Sequence, residues 1–480
     1  MRRAAAQALL ATAFAVSPSG CGSSGPAAAD VSPVSFGARG DGQTDDTAAL
    51  QAAIDAAAPG ATVRVPPGTY RIASDRGLVL KDDLRLELGD ATLMGPNVNG
   101  ARCRLLEVQG RRNVTIRGGT LVGSRVGAPQ WGVGILASDA DDLVIEGVTF
   151  RDFFFDGILL TGNRGCRRVR VRNVTAENNR RTGLAAPAVE DLTIENSVFR
   201  GSRGQSPQAG VNCEPNSGGE VRQVRILRST VTDNAGIGVY IHRALGVAVS
   251  DATVEDNVVA GNEHGIVASA VSGVTIRRNR VSGHRARVRS GIALGDETTR
   301  ALVVDNVLED NFRGIVSAGA TEVEIRGNTI IGTGTIGDAA QGDDGDGIVC
   351  RGLRGLLAGA CVVRQNVVRR TAGSGIAAHL VSRVEIADNR VEETGQRGIL
   401  LRSVTDSQVR GNDVARAGAE MANRYDAVEL ITSSNDNLVT QNVCRLGPQT
   451  RSDITIGPGC MRNRVFGNSS VPWTGSAAQP

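Results

Sequence analysis

Val274-Thr275-Ile276-Arg277-Arg278-Asn279-Arg280-Val281 decides the fold of this chain. Val274 and Ile276 alternate with polar residues, so they share one face of an extended strand, whereas a helix would need a 3.6-residue period. The apolar pattern breaks at Asn279 and resumes at Val281. The same phrase returns as Val323/Ile325/Asn328/Ile330 and as Val384/Ile386/Asn389/Val391. A second phrase, Gly followed by a branched hydrophobic residue, starts at 157, 183, 210, 238, 265, 291, 314, 347, 375 and 398. Its successive intervals are 26, 27, 28, 27, 26, 23, 33, 28 and 23 residues. Self-similarity at this period marks a repeat architecture in which each unit buries its apolar face only against its neighbours.

Short strands separated by single-residue turns, three to a repeat, imply an all-β solenoid, the right-handed single-stranded parallel β-helix. Ile158, Val239, Ile266 and Ile292 are then interior ladder positions. Asparagines at stacked turns are placed to bond the Asn of the next coil and to take up left-handed backbone. A β-propeller would need a four-strand blade of longer period, which the sequence lacks.

At 480 residues, with 41% hydrophobic residues, the chain exceeds one ordinary compact domain. A net charge of +3 gives no concentrated basic face, so no nucleic-acid partner is expected. The eight cysteines do not form the dense framework of a small disulfide-rich domain. Cys213 and Cys350 fall on inward strand positions as small hydrophobes, and Cys444 and Cys460 are the candidates to pair near the carboxyl end.

Residues 1–21 have the layout of an export signal, with Arg2 and Arg3 ahead of an apolar run from Ala8 to Val16. Ser19-Gly20-Cys21 resembles the end of a bacterial lipoprotein signal, in which Cys21 would carry the lipid. Pro18 stands where such signals usually have Leu, and ordinary secretion is the alternative. Export from a bacterial cell is expected, to the periplasm, to the outer membrane or surface as a lipoprotein, or to the medium. A membrane would be met only through that anchor. Residues 22–30 read as a flexible linker, 31–471 as the β-helix domain and 472–480 as a disordered tail. A monomer is expected.

Phe36-Gly37-Ala38-Arg39-Gly40-Asp41-Gly42 is a turn-rich loop. Asp45-Asp46-Thr47 follows as a cap for a helix with Ala48, Leu50 and Ile54 on its apolar face. Val63 and Val65 begin a strand that stops at Pro66-Pro67-Gly68-Thr69-Tyr70. In this order the elements resemble the amino-terminal cap, here 31–72, of the pectate-lyase-like β-helix enzymes, which include polygalacturonases and rhamnogalacturonases. The resemblance implies fold more than chemistry.

A solenoid core is too narrow for a ligand, so chemistry belongs on outward positions of the Gly-hydrophobic strands. These turn titratable in one window: Asn212 and Glu214, then Tyr240 and His242, then His264. Such a set suits removal of the C5 proton of a uronic acid, by a lyase or an epimerase acting on an acidic polysaccharide. That reaction needs a quieted carboxylate, a base on C5 and an acid at the leaving oxygen or the opposite face. Asn212 and a protonated Glu214 would quiet the carboxylate, with charge from Arg243, Arg285 or Arg313. Tyr240 and His242 would serve as base and acid. The alternative enzyme is a glycoside hydrolase pairing Glu214 with Asp156 at roughly 10 Å, two coil spacings. A glycan-binding or surface scaffold without catalysis is the non-enzyme alternative.

The 209–267 segment also resembles the catalytic module of the mannuronan C5-epimerases, whose signature is Tyr-Gly-Phe-Asp-Pro-His. The family's Tyr falls on Ala209, its Asp on Asn212 and its His on Glu214. A later Asp falls on His242, and the later His on His264, the one position retained in kind. Tyr240, in the neighbouring slot, is the candidate substitute for the missing Tyr, so this resemblance bears on location rather than activity. No cofactor is otherwise required. Asp343, Asp344 and Asp346 make up the one candidate calcium loop, although a plain acidic turn is the simpler reading of that run.

Overall fold

The structure is a computed structural model that describes residues 29–96, 102–124, 131–215, 218–243, 247, 249–285, 289–334, 345–353 and 359–474. The export signal, Cys21, residues 22–28 of the linker, Asp343, Asp344 and residues 475–480 lie outside the described residues. Among these, one short α-helix opens the chain and parallel strands make up nearly all the rest. Each coil contributes three strands. One face stacks into a 15-stranded parallel sheet, and the other two run together as a 31-stranded sheet.

The face that carries the Gly-hydrophobic phrase has strands β1 (Asp156–Thr161), β2 (Thr182–Ala185), β3 (Ala209–Cys213), β4 (Ile237–His242), β5 (His264–Ser269), β6 (Ser290–Leu294) and β7 (Arg313–Ala318). Their register stacks Ile158, Leu184, Val211, Val239, Ile266, Ile292 and Ile315 in one buried column. The interior ladder expected at Ile158, Val239, Ile266 and Ile292 is therefore present.

From Asn257 to Asn468 the corner between the two strands of the larger sheet is a continuous amide ladder. Asn257, Asn279, Asn306, Asn328, Asn366, Asn389, Asn412 and Asn442 each pass an Nδ2–H to the Oδ1 of the next, the last to Asn468, at 2.9–3.0 Å. The same oxygens also accept backbone N–H groups, as Asn328 does from Asn306 at 2.9 Å. The left-handed residue is not the Asn itself but the one before it: Asp256, Arg278, Asp305 and Asp388 have φ of 52–56°. With its own backbone in the ordinary region, each Asn side chain points inward.

A second ladder explains the motif's glycine at 238 from sterics alone. Asn234 donates to Asn262 Oδ1 at 2.9 Å at the corner leading into the Gly-hydrophobic face. A Cβ on Gly238 would lie 2.8 Å from Asn262 Nδ2 and 2.9 Å from Val259 Cγ1, so only glycine fits against this corner. His284 takes the next place in that ladder. It is fully buried, with Nδ1 2.8 Å from the Asn262 carbonyl oxygen and its backbone N–H donating to Asn311 Oδ1 at 3.2 Å.

Helix α1 (Thr47–Ala56) closes the amino-terminal end, burying Leu50, Ala53 and Ile54. Ala48 is exposed, so Ala53 takes the place expected for it. Asp45 Oδ1 accepts the Thr47 backbone N–H at 3.1 Å. Asp46 turns back instead and accepts the Arg39 and Gly40 backbone N–H groups at 2.7 and 3.1 Å, which ties the turn-rich loop to the helix. No helix among the described residues is long and apolar enough to cross a membrane.

The cysteines differ from expectation in part. Cys213 is buried as a small hydrophobe, but Cys350 forms a disulfide with Cys361, and Cys444 and Cys460 are both free thiols. Asp346 is buried, accepting the Ser374 backbone N–H at 2.5 Å, and so is part of the coil rather than an exposed metal loop.

Replacing Asn306 by Ala removes its amide donors to Ile276 O and Asn328 Oδ1 and strands buried partners in the middle of the ladder. A loss of about 2–4 kcal/mol is expected, read as a lower denaturation midpoint in urea. Replacing Asn113, an exposed Asn away from this ladder, should shift the midpoint far less.

Candidate functional site

Four outward side chains of β3 and β4 form a two-by-two patch. Asn212 pairs in register with Tyr240 and Cys213 with Ile241, which sets Glu214, just past the end of β3, across from His242. Neighbouring coils are about 5 Å apart, and alternate residues of a strand about 7 Å. Asn212 Nδ2 donates to Glu214 Oε2 at 3.3 Å. The Tyr240 and His242 rings stack with centroids 5.2 Å apart and planes within 5° of parallel. Burial, then the charge of Glu214, pushes the Tyr240 phenol up to about 12, so it keeps its proton at neutral pH. Asn212 is almost completely buried; its Oδ1, like His242 Nδ1, is buried without a hydrogen-bond partner.

His264 is not part of this patch. Its register partners are Ile237 and, one strand on, Ser290, at the opposite end of the strands. Tyr240 pairs with Val267, three residues further along, which separates His264 from it by about 10 Å. The Ser290 backbone N–H lies 3.2 Å from His264 Nδ1 and Arg289 Nη1 3.1 Å from Nε2; both are donors, and the single lone pair of the neutral imidazole accepts from one of them. Burial first, then Arg289, His284 and Arg313, pulls the imidazole down to about 4, so it stays neutral. Arg289 is itself ion-paired with Glu263. In sequence Arg289 ends an Arg-rich turn, 284–289, one coil beyond His264, which is open equally to holding an anionic polysaccharide and to being a solvated turn.

The expected substrate contacts are redistributed. Asp156 is fully buried, held by Arg181 at 2.9 and 2.6 Å and by the Thr182 hydroxyl at 2.6 Å. It also aligns with the start of β3 rather than its end, about 16 Å along the strand direction from Glu214. The hydrolase pair of Asp156 and Glu214 is therefore not assembled. Arg243 is ion-paired with Glu297, and Arg285 with Asp310 at 3.1 Å. Arg313 is buried beside Phe312, in the His264 column. Among the described residues no three His, Cys, Asp or Glu side chains are gathered for a metal.

The model described as the right handed beta helix region matches residues 97–219 and 192–352, more than half of the chain. The chain belongs to the right-handed β-helix family. Within this β-helix, residues 31–95 match the rhamnogalacturonase A/epimerase, pectate lyase-like description, in agreement with the cap resemblance, and residues 343–469 match the periplasmic copper-binding protein NosD. Alginate lyase 7 of Azotobacter vinelandii is 55% identical over 56 residues, 10% of this chain and 6% of the lyase. The mannuronan C5-epimerase AlgE4 of the same organism is 31% identical over 186 residues, 34% of this chain and 33% of the epimerase. The chain spans less than half the length of the curated relatives it matches. Among solved structures, the tailspike protein of E. coli bacteriophage HK620 superposes with a TM-score of 0.56 at 12% identity, covering 90% of this chain and 80% of the tailspike, a likeness of fold alone.

The low value for His264 carries a stability consequence in this β-helix. The ordinary value is 6.5 and the folded value about 4, so the unfolded chain takes up its proton first as pH falls. The contribution of His264 is intact above pH 6.5 and is lost progressively between 6.5 and 4. His264→Gln should be less stable than wild type at pH 7, with the gap in thermal midpoint narrowing at pH 5 and again at pH 4.

Proposed function

We propose that this chain is an exported carbohydrate-active enzyme that cleaves an acidic, uronate-containing polysaccharide by β-elimination at the Asn212/Glu214/Tyr240/His242 patch. The observation that carries the reading is the stacking of Tyr240 and His242 on one face, beside a carboxylate and an amide. In β-elimination a base takes the C5 proton, the C4–O bond breaks, a C4–C5 double bond forms and the leaving oxygen receives a proton. Two proton-transfer groups on one side of the sugar serve a removal in which the C5 proton and the leaving oxygen share that side. Epimerisation needs a second group on the opposite face of the ring, and among the described residues the flat outer surface of the sheet offers none. Elimination is therefore favoured over epimerisation, and the buried Asp156 removes the support for hydrolysis.

The matches to an alginate lyase, a mannuronan C5-epimerase and the pectate lyase-like description support a uronate as the substrate class. The match to the periplasmic NosD description supports export, with Cys21 as lipid attachment or as part of a cleaved signal.

Incubation with alginate, polygalacturonate and glycosaminoglycans is expected to yield unsaturated uronate ends, read by ultraviolet absorbance. Tyr240→Phe and His242→Ala should each lower the rate roughly 10²–10⁴-fold, while Arg285→Ala stays near wild type. Saturated fragments would replace this reading with hydrolysis. Solvent deuterium at C5 without cleavage would replace it with epimerisation, and binding without any product with a scaffold.

A further inference from the structure

The carboxyl-terminal coils carry a cavity that the patch does not use. Strands Arg390–Thr394, Asp413–Ala417, Val443–Leu446 and Ser469–Pro472 stack in register in the larger sheet. Where they end and the chain turns toward the next coil lies a cavity of about 460 Å³, within the range of small-ligand sites. Its walls include Glu393, Arg416, Pro448, Gln449 and Trp473.

These walls are held in place by the protein itself. The Trp473 backbone N–H donates to the Leu446 carbonyl oxygen at 3.0 Å, and the Arg416 guanidinium carbon lies 4.7 Å from the centre of the Trp473 ring. Arg416 is also ion-paired with Glu393. The turn carrying Pro448 and Gln449 is closed by Thr450, whose hydroxyl accepts the Gly447 N–H at 3.2 Å and donates to the Ala417 carbonyl oxygen at 2.7 Å. Ala419 and Glu420 donate their N–H groups to the Thr394 and Gly395 carbonyl oxygens at 2.9 and 2.8 Å. A preformed cavity of this kind spends little ordering entropy on binding.

The lining also states the chemistry of its ligand. An indole presents a flat apolar surface, which suits the C–H face of a pyranose. Beside it stand a carboxylate that accepts, a guanidinium that donates and the exposed Gln449 amide, which does both. Sugar hydroxyls donate and accept at once, so they match such a set. Among the described residues the lining has one positive and one negative side chain, paired with each other, which leaves no charge over for an anion.

We propose that this cavity is a second saccharide site, binding a neutral glycosyl residue against Trp473 with its hydroxyls on Glu393, Arg416 and Gln449. Five strand pairings separate the strand of Tyr240 from Ile376–Ser382, whose coil carries Glu393. That is about 24 Å at the usual strand spacing. The site therefore holds a glycan without touching the patch, and it does not rest on the lyase reading.

The chain has two tryptophans, Trp131 and Trp473, so in the full-length Trp131→Phe variant the indole emission reports on Trp473 alone. Neutral hexasaccharides of glucose, mannose, xylose and N-acetylglucosamine are titrated into it, with an oligoguluronate for comparison. At least one neutral hexasaccharide is expected to shift the emission saturably, with the same affinity by calorimetry on wild type. Trp473→Ala should weaken that binding roughly tenfold and Gln449→Ala roughly three- to tenfold. Gln449 is exposed, so its variant tests the site even if Trp473→Ala unfolds the last coil. Tyr240→Phe should bind as wild type does. No shift with any neutral hexasaccharide, affinity unchanged in Gln449→Ala, binding lost in Tyr240→Phe, or binding of the oligoguluronate alone overturns the site. Saccharide binding without unsaturated product from any uronan leaves the site standing and sinks the lyase reading. Unsaturated product from a chain that binds no neutral hexasaccharide does the reverse.

Discussion

Coil after coil of this protein must return to the same corners, and from Asn257 to Asn468 the stacked amides at those corners make it do so. An Asn side chain there satisfies a carbonyl of the preceding coil and the Asn of the next one at once, so a coil of altered path would leave buried polar groups unmatched on both sides. The aliphatic columns supply the larger share of the favourable burial, but apolar contact is nondirectional and tolerates sliding. The amides set the register. The glycine at the head of each Gly-hydrophobic strand follows from the close stacking, since the next coil's backbone carbonyl, a core side chain or, at Gly210, Gly238 and Gly291, a corner amide occupies the space a Cβ would need.

That rigid register is what gives the outer face its chemistry. Side chains on successive coils of a parallel sheet stand at a fixed spacing, so a functional group is built by choosing residues at aligned positions rather than by shaping a loop. Asn212 over Tyr240 and Glu214 over His242 are such choices, flanked on neighbouring coils by Ala185 and Val267. The opposite end of the same strands is different in kind: Asp156, Thr182, Arg313 and Asp346 are all buried, and their charges are spent on holding the coil edge.

This contrast explains what was legible in the sequence. Period-two alternation and the recurring Asn gave away the solenoid, its interior columns and its corner bonds, because each depends only on local pattern repeated. The cap was readable for the same reason, down to the Asp-Asp-Thr turn, although Asp46 answers to the preceding loop rather than to the helix. The patch at 212–242 could be found by aligning outward positions. Alignment also puts Asp156 and His264 in the column just before the glycine, away from the patch; what it does not show is that Asp156 in that column is fully buried against Arg181 and Thr182. The Cys350–Cys361 pairing was hidden similarly: the two residues lie on strands of different faces, and their meeting depends on how the corner between them closes.

That disulfide also makes one part of the chain mechanically redundant. Residues 350 and 361 sit on strands of the same coil, each already hydrogen-bonded to the coils before and after it. A protease that cuts between them leaves two fragments still joined by sulfur, each still registered in the stack. In an oxidising compartment such a nick would leave the two fragments covalently joined; under a reductant they would be held by strand pairing and buried side chains alone, with raw strand edges waiting on either side if they part.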